Sequence, residues 1–191
     1  MSVPSKDVYL VIGGSGFLGR HVVEALLARG DAVSVFDIVQ RHHDVPFYSG
    51  DISEEEQVSD ALRKVRSRSV TSFSRLSIGR GQSGATCIIH TASPLHGMDD
   101  PALYWKVNVD GTQAVINASV ANGVPKLVYT SSAGVVFNGA NLIDVDERIP
   151  QPEKAMDPYN ESKAKAEEIV LAANGKGGLY TVALRPAGIF G

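Results

Sequence analysis

The sequence has one cysteine, Cys87, and no acidic residue at all from Ala61 to Met98. A single cysteine excludes an internal disulfide, and its place in an apolar run suits a reducing compartment. No apolar stretch approaches the ~18 residues needed to span a bilayer. The first residues, MSVPSKD, carry no apolar h-region, so no signal peptide is expected and the segment reads as soluble and cytoplasmic. Positive charge is not in excess either: 18 Lys and Arg stand against 21 Asp and Glu, a net charge of −3 that gives no reason to expect nucleic acid. There is no internal repeat and no set of residues that reads as a metal site. With 43% hydrophobic and 20% charged residues over 191 positions, the chain is composed like a soluble globular domain with a sizeable core.

What is present is organised around Val8–Gly19, VYLVIGGSGFLG. The apolar run Val8–Ile12 predicts a strand buried on both faces, and Phe17 to Arg29 predicts a helix. Gly13, Gly16 and Gly19 between them give GxxGxxG. Gly13 allows a tight turn out of the strand, Gly16 lets the backbone approach a pyrophosphate, and Gly19 lets the helix pack close to the sheet. The free N–H groups and positive dipole end at the helix start then face the phosphates. A glycine-rich turn occurs in any α/β protein; the strand–turn–helix context is what makes this one a dinucleotide fingerprint. A second run, Ala32 to Phe36, ends at Asp37, about 20 residues on, where a carboxylate binds the adenosine ribose and disfavours a 2′-phosphate. Arg41 is read as a solvated loop charge.

Further strands are expected at Phe47–Ser49, Thr86–His90, Lys126–Thr130 and Tyr180–Arg185. Ser53 and Glu56 suggest a capping box for a helix through Leu62. Asp100-Pro101 predicts the start of a helix through about Ala121, and Pro158 precedes one from Tyr159 to about Asn174. Alternating strands and helices give an α/β fold, a Rossmann-type doubly wound parallel sheet ordered 3-2-1-4-5-6. Arg63–Gly84, RKVRSRSVTSFSRLSIGRGQSG, breaks the pattern. It reads as a disordered surface insertion, a basic partner-binding patch, or read-through of non-coding sequence, and the residues alone do not choose among them.

Tyr159 and Lys163, at i and i+4, share one helix face. Tyrosine ordinarily titrates near ~10; a neighbouring ammonium favours the phenolate and is expected to lower that value. Lys163 can also bind the nicotinamide ribose, and Ser132, at the end of the fifth strand, can hydrogen-bond a substrate oxygen. Asn108 is a candidate polar contact from the preceding helix. Asp51 could hold the adenine amino group with Ile52 covering the ring, or be an ordinary turn acid.

The segments GGSGFLG, GDIS, HTASP, NVDGTQAVINA, VYTSSAGVVFNG, PYNESKAKAE and LRPAGIFG resemble the extended short-chain dehydrogenase/reductases, and more narrowly the 3β-hydroxysteroid dehydrogenase group. The resemblance covers Val8–Leu62 and Ala85–Gly191. It implies Ser132, Tyr159 and Lys163 as catalytic residues with Asn108 in support. It implies NAD held by Gly13, Gly16, Gly19, Asp37, Asp51, Ile52 and Ala92; Phe17, Leu18, Thr91 and Pro186 join them by position. The implied reaction is NAD-dependent oxidation of a 3β-hydroxysteroid, or of a 4α-carboxysterol with loss of CO₂. The implied setting is the endoplasmic reticulum, with a membrane-associated sterol-synthesis complex or a homodimer as partners. Two departures stand out: the Ser/Arg-rich insertion, and the absence of the C-terminal part that builds the family's substrate pocket. The chain is therefore expected to be a cofactor domain that is inactive alone. Sugar-nucleotide epimerases share the Tyr/Lys pair, but their Tyr-Gly after the serine strand is replaced here by Val136-Phe137-Asn138-Gly139. An NADPH-preferring carbonyl reductase is disfavoured by Asp37. A non-catalytic NAD(P)-sensing protein would typically lack the Tyr/Lys pair.

Overall fold

The structure, a computed structural model, describes residues 7–65 and 84–190. Most of the Ser/Arg-rich stretch, residues 66–83, lies outside the described residues, and the three readings of it stand as they were.

Six parallel strands form one sheet in the order β3-β2-β1-β4-β5-β6. They are β1 (Val8–Ile12), β2 (Ala32–Asp37), β3 (Phe47–Ser49), β4 (Cys87–His90), β5 (Lys126–Thr130) and β6 (Tyr180–Leu184). All five residues of β1 are buried, because helices cover both faces of the sheet at its centre. On one face Tyr9, Val11, Val33 and Val35 meet Val23 and Leu26 of α1 (Phe17–Ala28). On the other, Leu10, Ile12, Phe36, Ile88 and Leu127 pack with apolar residues of three more helices. These are α2 (Glu55–Lys64), α4 (Gly111–Ala121) and α5 (Pro158–Ala172). Gly30, at φ 79°, ends α1: its N–H donates to Leu27 O at 2.8 Å and that of Asp31 to Leu26 O at 3.1 Å.

Two local expectations are corrected. The capping box does not form. Residue Glu54 is the N-cap of α2 and makes no side-chain cap bond; the Ser53 hydroxyl instead donates to Asp51 Oδ1 at 2.8 Å. The Gln57 side chain closes the turn by accepting the Asp51 N–H at 2.9 Å. The helix opened by Asp100-Pro101 is not uniform. It runs as α3 (Pro101–Tyr104), a π-helical turn (Trp105–Asp110), and then α4. Asp100 caps it as expected, accepting the Leu103 N–H at 2.9 Å. The π turn carries Asn108 inward to a buried position. No helix among the described residues is long and apolar enough to cross a membrane.

Candidate active site

The glycine turn joins β1 to α1 at the carboxyl edge of the sheet. Gly13 has φ 80°, and a Cβ there would lie 2.6 Å from the Ala92 nitrogen and 2.9 Å from Thr91 Oγ1. A Cβ at Gly19 would fall 2.1 Å from Gly13 O, so the helix lies against the turn. Gly16 differs: the one atom near a Cβ there is Gly13 O, at 3.3 Å, and the residue itself is exposed. It is also the N-cap of α1, with no side chain to occupy the free N–H groups. At the end of β2 the Asp37 carboxylate accepts the Ser15 N–H at 3.0 Å and the Ile38 N–H at 2.7 Å, which fixes it beside the turn. Uncapped N–H groups, an open glycine and an oriented carboxylate fit a dinucleotide.

A cavity of about 270 Å³ opens beside this turn. Of the residues singled out in the sequence, Leu18, Thr91, Ser132, Tyr159, Lys163 and Pro186 line it. Ser132 arrives from the end of β5, where its hydroxyl accepts the Gly134 N–H at 3.1 Å. Tyr159 and Lys163 arrive from α5, whose start is set by Asp157: its carboxylate accepts the Asn160 N–H at 2.7 Å. The Tyr159 ring is held edge-on between His96, at 5.0 Å, and Tyr104, at 5.5 Å between centroids. Lys163 is buried, donates from Nζ to Thr130 O at 2.6 Å, and lies 4.4 Å over the Tyr129 ring.

The electrostatics differ from expectation. Burial raises the Tyr159 phenol above its ordinary value, while the Ser93 and Ser132 hydroxyls beside it pull the other way. Lys163 does not offset this rise. Desolvation draws the lysine itself down to about 7, with Glu167 opposing that shift. The physical reason is that the ammonium is turned to a backbone carbonyl and an aromatic face in a dry site.

The other predicted residues lie outside the cavity. Asn108 is buried beneath α5, donating to Ser162 Oγ at 2.9 Å, which in turn donates to Tyr159 O at 2.8 Å. Its Oδ1 is buried without a partner among the described residues. Asp51 accepts from the Ser53 N–H and hydroxyl and pairs with Lys106 at 3.3 Å. Ile52 is buried against Gly111, where a Cβ would come within 2.6 Å of it. Phe17 is half exposed at the start of α1, and Ala92 backs the Gly13 turn. Several cavity residues had gone unnoticed in the sequence: Ser93, Thr130, Ser131, Ala187 and Ile189. The available signal was their place at or just beyond the carboxyl ends of strands, where open α/β sheets bind ligands.

Comparison with known proteins gives the chain its relatives. Residues 10–191 match the profile of the 3-beta hydroxysteroid dehydrogenase/isomerase family. A sterol-4-alpha-carboxylate 3-dehydrogenase, decarboxylating, of Candida albicans is 42% identical, over 98% of this chain and 52% of the relative. The human protein of that name is 40% identical, over 95% and 44%. Among solved structures, a short-chain dehydrogenase/reductase superfamily protein of Agrobacterium tumefaciens with bound NAD has a TM-score of 0.75 at 27% identity, covering 93% of this chain and 48% of that one. A UDP-glucose 4-epimerase of Thermus thermophilus in complex with NAD has a TM-score of 0.72 at 30% identity, with 93% and 54% covered. The chain spans about half the length of the curated relatives it matches.

Proposed function

The chain belongs to the 3-beta hydroxysteroid dehydrogenase/isomerase family, and from that premise we propose that it is the NAD-binding half of an enzyme that oxidises the 3β-hydroxyl of a 4α-carboxysterol. The observation that carries this reading is the convergence of Ser132, Tyr159 and Lys163 on one cavity beside the glycine turn. The relatives named as sterol-4-alpha-carboxylate dehydrogenases supply the substrate class, and NAD-bound neighbours of the same fold support the cofactor. On this reading Gly13, Gly16, Gly19 and Asp37 hold the dinucleotide, and Thr91, Ala92, Leu18 and Pro186 border its nicotinamide end. Asp51 and Ile52 stand at its adenine end. The substrate lobe is proposed to belong to the further length that the relatives have. The proposed setting, at the endoplasmic reticulum within a sterol-synthesis complex or as a homodimer, follows from the membrane residence of sterols and from the family.

NAD, when bound, supplies the acceptor for the hydride from C3. Tyr159 takes the proton of the 3-hydroxyl on its phenolate oxygen, and Ser132 donates a hydrogen bond to the same substrate oxygen. Lys163 holds its ammonium at the floor of the site, where it can favour the phenolate once the phenol gives up its proton. Asn108 acts from beneath, through Ser162, on the backbone that carries Tyr159. The 3-ketone so formed is β to the carboxylate, and a β-keto acid loses CO₂ through its enol with no further group required. In a chain completed to the relatives' length, Tyr159→Phe is expected to lower kcat by at least ~10² with NAD affinity nearly unchanged. Turnover retained in that variant would remove the tyrosine from the reaction.

A further inference from the structure

We propose that Ser93 is the residue that recognises the substrate's carboxylate, the acid on the carbon next to the reacting hydroxyl. The inference rests on the proposed function for its substrate and on the geometry for its residue. Ser93 follows β4 directly, at the end of His90-Thr91-Ala92-Ser93, and lines the cavity with Tyr159, Ser132 and Lys163. Two hydroxyls therefore approach the Tyr159 phenol, Ser132 from the end of β5 and Ser93 from the end of β4, and both lie close enough to favour its ionised form. The reacting oxygen needs the phenol and one hydroxyl donor. Ser132 fills that place.

Ser93 is thus a second donor at a centre that uses one. A group on the carbon adjacent to C3 must lie beside the C3 oxygen, and so beside the phenol. The donor of Ser93 is not committed to the fold: it rests on Pro94 O at 3.1 Å, the carbonyl of its own neighbour in the chain. A hydroxyl in that state can turn onto an incoming anion at the loss of one local bond. Three other polar groups near the phenol are already engaged, while the Ser131 hydroxyl, also on the cavity wall, is buried without a partner among the described residues. His96 Nε2 faces Asp157 Oδ2 at 3.3 Å, and Lys163 donates to Thr130 O at 2.6 Å. The Tyr104 hydroxyl donates to Leu95 O at 2.7 Å and accepts the Met98 N–H at 2.8 Å. Asp157, the nearby carboxylate, would repel an acid, but both its oxygens are occupied by Asn160.

The test uses the chain completed to the relatives' length and two sterols, a 4α-carboxy-3β-hydroxysterol and its 4α-methyl counterpart. Ser93→Ala is expected to lower kcat/KM for the acid roughly tenfold to hundredfold, the range for a lost hydrogen bond to a charged group. With the methyl sterol the fall should be clearly smaller, limited to the lost support of the Tyr159 phenolate, and NAD affinity should be unchanged. Ser93→Thr, which keeps a hydroxyl, should restore most of the loss. An equal fall on both sterols, or none on the acid, overturns the assignment. Failure of the unmodified protein to oxidise either sterol counts against the proposed function itself, and the carboxylate role falls with it.

Discussion

Lys163 is a residue whose chemistry the fold has altered. Its ordinary value of 10.5 falls to about 7 because the ammonium is desolvated. In the interval between those values the unfolded chain binds more protons than the folded one, so stability should rise with pH from about 7 to 10.5. His90 acts in a lower window. It is fully buried, makes its contact to Thr112 Oγ1 at 3.1 Å, and is pushed from 6.5 to about 3, so stability should rise with pH across that span. Urea midpoints at pH 6.5 and pH 9 should therefore differ in the unmodified chain, and Lys163→Met should flatten the difference while abolishing catalysis in the completed protein. That Tyr159, Lys163 and Ser132 come together was legible in the sequence, from the i, i+4 spacing of the first two and the place of the third at a strand end. The raised phenol and lowered lysine were not, because both shifts come from burial by residues distant in the chain. Ser93 was hidden for the same reason: its importance is its closeness to Tyr159.

At the scale of elements, the strands and their limits were legible from short apolar runs bounded by glycine, proline and acids. β1, β3 and β5 fall where the sequence placed them, and β4 begins one residue later, at Cys87. The capping box was misread because Asp51, two residues earlier, outcompetes Ser53's role at the helix by taking both of its donors. The π turn was not legible, since one extra residue per turn over a single turn leaves the apolar pattern almost unchanged. The three fingerprint glycines separate into different tasks that mutation can distinguish. Gly19→Ala places a Cβ 2.1 Å from Gly13 O and is expected to unfold the turn or the domain. Gly16→Ala meets only Gly13 O, at 3.3 Å, so its urea midpoint should stay close to that of the unmodified chain. Its NAD affinity should nevertheless fall at least ~10-fold, because the methyl stands where the backbone must approach a pyrophosphate. A Gly16→Ala chain that binds NAD normally would show that the phosphates lie elsewhere.

A second element-level device closes the far wall of the cavity. The buried Glu167 of α5 accepts from Arg185 Nε at 3.1 Å and from Nη2 at 2.6 Å, just beyond β6. Pro186, Ala187 and Ile189, the next residues, line the cavity. Arg185→Ala leaves a buried carboxylate unpaired and is expected to cost about 3–5 kcal/mol. Equilibrium denaturation checks it; a loss below 1 kcal/mol would mean that Glu167 finds water or another partner.

For the molecule as a whole, the strand order was legible because helices separate the successive strands, β2 and β3 apart, and right-handed crossovers leave few ways to arrange six of them. The cavity was not, since its walls come from α1, the ends of β4 and β5, α5 and the segment after β6. The order of the sheet and the site explain each other. β1 and β4 are neighbours on opposite sides of the point where the chain reverses direction across the sheet, and a ligand bound there meets residues from both halves. In the proposed function this crevice holds NAD beside a sterol acid, and its tyrosine drives one oxidation. The most direct measurement supplies the completed chain with NAD and a 4α-carboxy-3β-hydroxysterol and follows NADH and CO₂ together. Equal amounts of the two, lost in Tyr159→Phe, are the predicted result. No NADH from the sterol, with interconversion of a UDP-sugar and no net NADH instead, would contradict it and place the protein with the epimerases.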